Sequence, residues 1–587
     1  MIVIVLFMIA LIVRLFQLQI LNVDKYRYES NLNHILEIPT RAPRGDIFDR
    51  NGVKLAQNHI QYDLYIATIG DKDADSMHLE SIAKQVNLSE DEVANVRKTM
   101  EKASGEAPVL VKTDIPLSMV VELKEKGDEY QYALVEKAPK RSYPHGELTA
   151  HVIGYLREID EKRLRELKDS GYVPGDIVGG YGIERQYETS LRGVAGRKMM
   201  EVDHRGNWKG LLKKWEEDSD GEWVLTNQEF PPAKGKDLSL TLDIELQKRV
   251  AAEIGQNIGG VIVMVPKTGE ILALYSYPSF DSNLFVGPVN AMDWSDLMDN
   301  PSKPMQNRLI QNSYPPGSVF KVLMAFASLN EQVVTSETRV NCRGSIEVGN
   351  RVVKCWNLAG HGVVDICAAL SQSCDVFFYT IGLKLGVEKI SEYCGLFKLN
   401  DLSGIDLPSE KAGFIPSEEW KKEKFKERWY AGDTVNFAIG QGFLQLTPIG
   451  ITRLYAYFSN GGHLVNPHLN KAALTRDDTP EKLKNINPMY LQKIQNGLEG
   501  TVAHGTARSG KSVDFNIAGK TGTADDPPRK IPHSWFVSFA PAENPKVLML
   551  VFSQNGGHGD TKAVPIAKRI YESEEMRKYI LDENLDK

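Results

Sequence analysis

Cysteine is scarce in this 587-residue chain: there are five, and none precedes Cys342, so nothing ahead of that residue can be braced by a disulfide. A large excess of positive charge is also missing. The formal charge is −7, and basic runs such as Lys421-Lys422 are short and interleaved with acids, which argues against a broad nucleic-acid-binding face. No internal repeat or low-complexity tract is present, which excludes solenoid and fibrous designs. Charge is absent from the start of the chain, where Met1 to Val13 is wholly apolar and the pattern resumes after Arg14 with Leu15, Phe16, Leu18, Ile20 and Leu21. That is about 20 residues, enough to cross a bilayer if Arg14 snorkels or faces a partner helix. No small-residue cleavage site follows, so residues 1–22 are expected to be an uncleaved membrane anchor rather than a removed signal peptide. With no Lys or Arg ahead of the span, the positive-inside rule cannot set its orientation.

What is present suits large cores, since 42% of residues are hydrophobic and the length allows several domains. Tyr26 to about Gln57 reads as a connection to the first globular part. A charged, helix-rich insertion follows, with a capping box from Ser89 to Glu92 ahead of Val93, Val96 and Met100. His145 and His151 are isolated, which favours structural roles over metal binding. Pro231-Pro232-Ala233-Lys234-Gly235 reads as a linker, and from Asp237 onward strands flank a helical middle, as in an α/β (α+β) sandwich with one sheet.

The chemistry is concentrated in three motifs. Ser313-Tyr314-Pro315-Pro316-Gly317-Ser318-Val319-Phe320-Lys321 is a turn followed by an apolar run to Leu329 that predicts a buried helix. Ser318 falls at its start, where free N–H groups stabilise an oxyanion, and Lys321 follows one turn later on the same face. Shielded from water, Lys321 can serve as a neutral general base. Ser371-Gln372-Ser373-Cys374-Asp375 comes next, and its Ser373 hydroxyl can pass a proton between Lys321 and a leaving amine. Last comes Ala518-Gly519-Lys520-Thr521-Gly522-Thr523-Ala524, suited to an edge strand beside a pocket. Here Lys520 would attract an anionic carboxylate, Thr521 and Thr523 would bind it through their hydroxyls, and Gly522 would let the backbone approach. The Thr523 N–H would join that of Ser318 as the oxyanion hole. Two decoys calibrate these patterns: Ser81-Ile82-Ala83-Lys84 falls inside an amphipathic helix and reads as a solvated face, and Lys267-Thr268-Gly269 reads as a hairpin turn between two core strands.

Ser-x-x-Lys, Ser-x-Asp and Lys-Thr-Gly in this order resemble the penicillin-binding transpeptidases and serine β-lactamases. Pro43-Arg44-Gly45-Asp46-Ile47-Phe48-Asp49-Arg50-Asn51-Gly52, the stretch Gly182 to Glu188 with Leu191-Arg192-Gly193, and Leu240-Thr241-Leu242-Asp243 resemble signatures of the class B penicillin-binding proteins. Within that class, the stretch Gly432 to Gly442, His533-Ser534-Trp535-Phe536 and Asn555-Gly556-Gly557-His558-Gly559 resemble the elongation-type, cell-shape branch. Asp375 stands where many relatives carry Asn; as an ionised carboxylate it can accept hydrogen bonds but not donate them. The resemblance implies a dimerisation or pedestal domain over 23–236, with a head insertion at about 60–175, and a transpeptidase (penicillin-binding) domain over 237–587.

Cys342, Cys355 and Cys374 with His361 could form a Cys₃His tetrahedral set, although the spacing matches no zinc-finger rule. Some elongation-type relatives carry zinc in this segment on a mixed Asp/His/Cys set, which implies a structural zinc. A Cys342–Cys355 disulfide or free thiols are the alternatives, with Cys367 and Cys394 left over. The activity implied is that of an inner-membrane D,D-transpeptidase cross-linking peptidoglycan stem peptides during elongation through an acyl-enzyme on Ser318. β-Lactams would block it, and a SEDS-family glycan polymerase and other elongation-complex proteins would be its partners. The same acylation chemistry would serve a D-Ala-D-Ala carboxypeptidase or β-lactamase, but a soluble hydrolase has no need of the long N-terminal half. A membrane β-lactam sensor would need a signalling module that is absent.

Overall fold

The computed structural model describes the chain apart from residues 1–6, 9–10, 13, 22–34, 69–71, 103–107, 128, 131, 203–207, 218–222, 288, 474–480, 484–486, 528–530 and 583–587. Contacts divide it into two units. The first comprises Met1–Asp46, Gln57–Ser142 and Thr189–Asp237; the second comprises Ile47–Ala56, Tyr143–Glu188 and Leu238–Lys587. Much of the expected membrane anchor lies outside the described residues. Among those described, no helix is long and apolar enough to cross a membrane.

In the first unit, the strand Lys54–Ile66, from Gln57 onward, pairs antiparallel with Ala133–Ser142 and, at its far end, with Val109–Lys112. Helices Lys72–Gln85, Glu90–Lys102 and Leu117–Glu125 close over that sheet, burying Leu79, Ile82, Val96, Val120 and Leu123 against Leu64 and Ile66. The capping box forms as expected: the Ser89 N–H donates to the Glu92 carboxylate at 2.8 Å, and the Glu92 N–H donates to Ser89 Oγ at 3.3 Å. The Ser81–Lys84 decoy lies on the helix Lys72–Gln85 with Lys84 exposed. A separate sheet pairs Ile35–Thr40 with Gly196–Val202.

The second unit is organised by a five-stranded antiparallel sheet built from the two ends of its sequence. Its strands are Gly259–Met264 (β1), Ile271–Tyr277 (β2), Ala518–Ala524 (β3), His533–Ala540 (β4) and Val547–Ser553 (β5), in spatial order β2-β1-β5-β4-β3. β1, β4 and β5 are buried at every position, as expected of strands covered on both faces. Helices Ile244–Ile254 (α1), Ala563–Tyr571 and Glu574–Leu581 cover one face, packing Leu246, Val250, Ile566 and Ile570 onto Val261, Val263, Met549 and Val551. Asp243 starts α1: its Oδ1 accepts from the Glu245 and Leu246 N–H groups, while Lys578 and Tyr579 hold its other oxygen. The Lys267 decoy is the β1–β2 hairpin turn. His151 is buried with Nε2 2.8 Å from the Pro304 carbonyl oxygen, in keeping with a structural role. Two helices matter for chemistry: Lys321–Asn330 (α2), apolar on all sides and therefore buried on all sides, and Asp375–Leu396 (α3), kinked at Gly386.

Candidate active site

The approach to α2 is fixed by main-chain bonds: Tyr314 and Leu446 exchange two N–H···O bonds of 2.9 Å, and the Gly317 N–H donates to Gly440 O at 2.8 Å. Gly317 has φ +57°, and a Cβ there would lie 2.6 Å from the Thr523 carbonyl oxygen. Only glycine lets this turn lie so close to β3. The sequence suggested that Ser318 opens an α-helix. Instead it sits in a 3₁₀ turn, Gly317–Phe320, that runs into α2 at Lys321. In a 3₁₀ turn residues three apart eclipse one another, so the tighter winding keeps Ser318 in line with Lys321.

Lys321 is fully buried and its ammonium is surrounded by the second motif. Nζ lies 2.9 Å from Ser373 O, 3.2 Å from Ser373 Oγ and 2.6 Å from Asp375 Oδ1. It is shielded from water as the sequence suggested, and in addition it is half of a buried ion pair. Ser373 has φ +53°, in the left-handed region that non-glycine residues enter at a cost, and Asp375 begins α3 two residues later, after Cys374. The second oxygen of Asp375 accepts from the Trp356 backbone N–H at 2.8 Å. Both oxygens are thus engaged by the protein itself.

The third motif is the edge strand β3. Lys520 is fully buried and donates to Thr521 O at 3.3 Å. Burial, and next the neighbouring Lys321 charge, push its ammonium well below the ordinary lysine range, with Asp375 pulling the other way. A Cβ on Gly522 would stand 3.0 Å from Val319 and 3.1 Å from Pro316 O, so this glycine lets β3 approach the Ser318 turn. Thr521 Oγ1 lies 2.6 Å from Thr506 Oγ1, while Thr523 Oγ1 accepts from the Gly559 N–H and the Thr523 carbonyl from Gln441 Nε2. Sequence reasoning gives no role to Thr506 or Trp356, and takes Gln441 only as part of the stretch Gly432 to Gly442. Thr506 and Trp356 lie outside the three motifs and bear no pattern of their own. The fold thus brings Ser318, Lys321, Ser373, Asp375 and the Lys520–Thr523 strand together.

Cys342, Cys355, His361 and Cys374 also converge, their ligand atoms all within 4.8 Å of one another. His361 Nδ1 is 3.6 Å from both Cys342 Sγ and Cys355 Sγ. Hairpins Ser345–Val348/Arg351–Lys354 and Val340–Cys342/Gly362–Val364 carry three of these residues to Cys374, which caps α3. All five cysteines are free thiols; Cys394 is buried elsewhere and Cys367 donates to Lys493 O. A hydrogen bond from Cys374 draws the Cys355 thiol below its ordinary range. A tetrahedral zinc with Zn–S of about 2.3 Å holds its sulfurs ~3.8 Å apart, so this donor set fits one.

Residues 259–572 match the penicillin binding protein transpeptidase domain, and residues 39–240 match the penicillin-binding protein dimerisation domain. The chain is 31% identical over 580 residues to peptidoglycan D,D-transpeptidase MrdA of Acinetobacter baumannii, covering 94% of this chain and 84% of that protein. It is 32% identical over 582 residues to MrdA of Escherichia coli K12, covering 94% and 89%. Among solved structures it resembles penicillin-binding protein PBP2 in complex with MreC from Helicobacter pylori, with TM-score 0.78 and 28% identity over 92% of this chain and 99% of that one. Pseudomonas aeruginosa PBP2 in complex with WCK 5153 gives TM-score 0.69 and 28% identity, covering 93% and 97%.

Proposed function

The chain belongs to the penicillin-binding protein transpeptidase family, and from that premise we propose how its residues divide the work of a peptidoglycan D,D-transpeptidase. Ser318 Oγ attacks the penultimate D-Ala carbonyl of a donor stem peptide. Its proton passes through Lys321 and the Ser373 hydroxyl to the leaving amine, the C–N bond breaks, and terminal D-Ala departs as an ester forms on Ser318. The amine of a neighbouring strand then attacks the ester, its proton returns along the same route to Ser318 Oγ, and the cross-link is made. The Ser318 and Thr523 N–H groups bind the oxyanion, and Lys520 with Thr521 and Thr523 binds the substrate carboxylate. Asp375 orients Lys321.

The observation that carries this reading is the position of Lys321 Nζ, 3.2 Å from Ser373 Oγ and on the helix that the Ser318 turn feeds. Labelling with a fluorescent penicillin tests it. Wild type is expected to give one adduct, on Ser318 by mass spectrometry, and Ser318→Ala none. An adduct on Ser373 or Ser81 would overturn the assignment. Lys84→Ala is expected to label as wild type does.

We assign a structural zinc to Cys342, Cys355, His361 and Cys374. Four protein ligands would leave no open position for a catalytic water, and when bound the metal would supply rigidity beside Ser373 and Asp375. We also place the chain in the cytoplasmic membrane through residues 1–22, with its catalytic unit outside, serving cell elongation and shape beside a SEDS-family glycan polymerase. Two observations support this placement: the apolar N-terminal sequence, and the likeness to a PBP2 solved with MreC and to a chain from a peptidoglycan synthase complex that coordinates polymerization and crosslinking.

A further inference from the structure

Trp356 lies outside the three motifs, yet it makes three of the hydrogen bonds that hold the second one. Its backbone N–H donates to Asp375 Oδ2 at 2.8 Å, and its indole Nε1–H is shared between the carbonyls of Gln372 and Ser373, 3.1 Å from each. Burial does not account for this residue, which is 59% exposed, whereas Trp535 is fully buried. The indole therefore sits at the surface with its one polar atom turned inward onto the backbone of the proton carrier.

Ser373 needs such a hold. Its φ of +53° is a conformation that a serine adopts only when its surroundings impose it. Its carbonyl receives Lys321 Nζ at 2.9 Å and the indole at 3.1 Å, and those two donors together fix the direction of the peptide that follows. If that peptide rotates, Ser373 Oγ leaves its place 3.2 Å from Lys321 Nζ. Trp356 also follows Cys355 in sequence, and its ring centroid is 5.3 Å from that of His361, so its position is set by the Cys–His cluster. We infer that Trp356 is a positioning residue for acylation: a strap that ties the Cys–His loop to the Ser373 carbonyl and keeps the Ser373 hydroxyl within reach of Lys321. The inference rests on the proton-carrying role given to Ser373 above.

The test is the acylation kinetics of full-length Trp356→Phe, which keeps a smaller aromatic ring and removes the donor. The limiting acylation rate with benzylpenicillin is expected to fall about fivefold, the size of one neutral hydrogen bond. The half-saturating concentration, the labelled fraction at completion and the Tm should stay as in wild type, the last within about 2 °C. Trp294→Phe, at another exposed tryptophan, should change none of these. A limiting rate within about twofold of wild type would overturn the strap. So would a slower rate accompanied by a lower Tm or a smaller labelled fraction, since the ring would then be packing alone. Wild type is measured alongside: if it lacks a Ser318 adduct, the catalytic assignment fails. If it carries one and Trp356→Phe reacts equally fast, only the strap fails.

Discussion

Asp375 Oδ1 lies 2.6 Å from Lys321 Nζ, with the lysine side chain wholly buried and the carboxylate 11% exposed. Two charges removed from water in this way are held by each other, and taking one away leaves the other without compensation. Asp375→Ala is expected to lower stability by about 3–5 kcal/mol and to abolish penicillin labelling. Lys321→Met combined with Asp375→Leu should recover most of the stability and none of the labelling, because the desolvation cost then vanishes with the charge. Thermal melts of the single and double variants decide the point. A single variant that melts like wild type would mean that the pair adds nothing.

Much of this was legible from the chain. Gly317, Gly522 and the order of the motifs announced a turn, an edge strand and a helix meeting at one place, because a Pro-Pro-Gly turn ahead of an apolar run and a Lys-Thr-Gly strand have few other uses. The engagement of Asp375 was not legible, since the Trp356 N–H that holds it is a backbone group 19 residues away, and a backbone group leaves no mark in sequence. The 3₁₀ winding at Ser318 was hidden for a similar reason: apolar periodicity over so few residues cannot separate windings of 3.0 and 3.6 residues per turn. Nor was the pair of short hairpins that gathers Cys342, Cys355 and His361, because exposed strands such as Arg351–Lys354 lack a buried face to set an alternating pattern.

The Cys–His cluster yields a prediction that does not depend on activity. Protein purified without chelator should carry about one zinc per chain by elemental analysis, and fewer than about 0.2 would make these thiols ordinary core cysteines. Replacing His361 or Cys355 should lower both the Tm and the acylation rate, because Cys374 stands between Ser373 and Asp375. Cys394→Ser, buried away from the cluster, should release no metal.

His151 sets an acid limit on the second unit. Burial pushes its imidazole from 6.5 down to about 4, with the Pro304 carbonyl and then Arg308 as smaller influences of opposite sign. Between those values the unfolded chain takes up a proton that the folded one refuses, so stability falls as pH drops from about 6.5 to about 4 and levels off below. The full loss from this group is about 3 kcal/mol. His151→Gln should flatten the Tm profile in that window. If the variant follows wild type through it, the acid sensitivity lies elsewhere.

Lys520 predicts the opposite trade, a catalytic group whose removal stabilises. Burial comes first and the Lys321 charge second in pushing its ammonium below the ordinary value of 10.5. Over the interval between the folded and unfolded values the unfolded chain binds more protons, so this residue makes stability rise with pH up to about 10.5. Below the folded value its full cost is present. Lys520→Met should therefore melt above wild type at neutral pH, and the gap should close as pH climbs toward the ordinary lysine range. Penicillin acylation should fall wherever Lys520 carries its proton, since the carboxylate of the drug then loses its counter-charge while Ser318 and Lys321 stay in place. A variant that melts below wild type by the same margin at every pH would mean that Lys520 supports the fold and that its burial costs nothing.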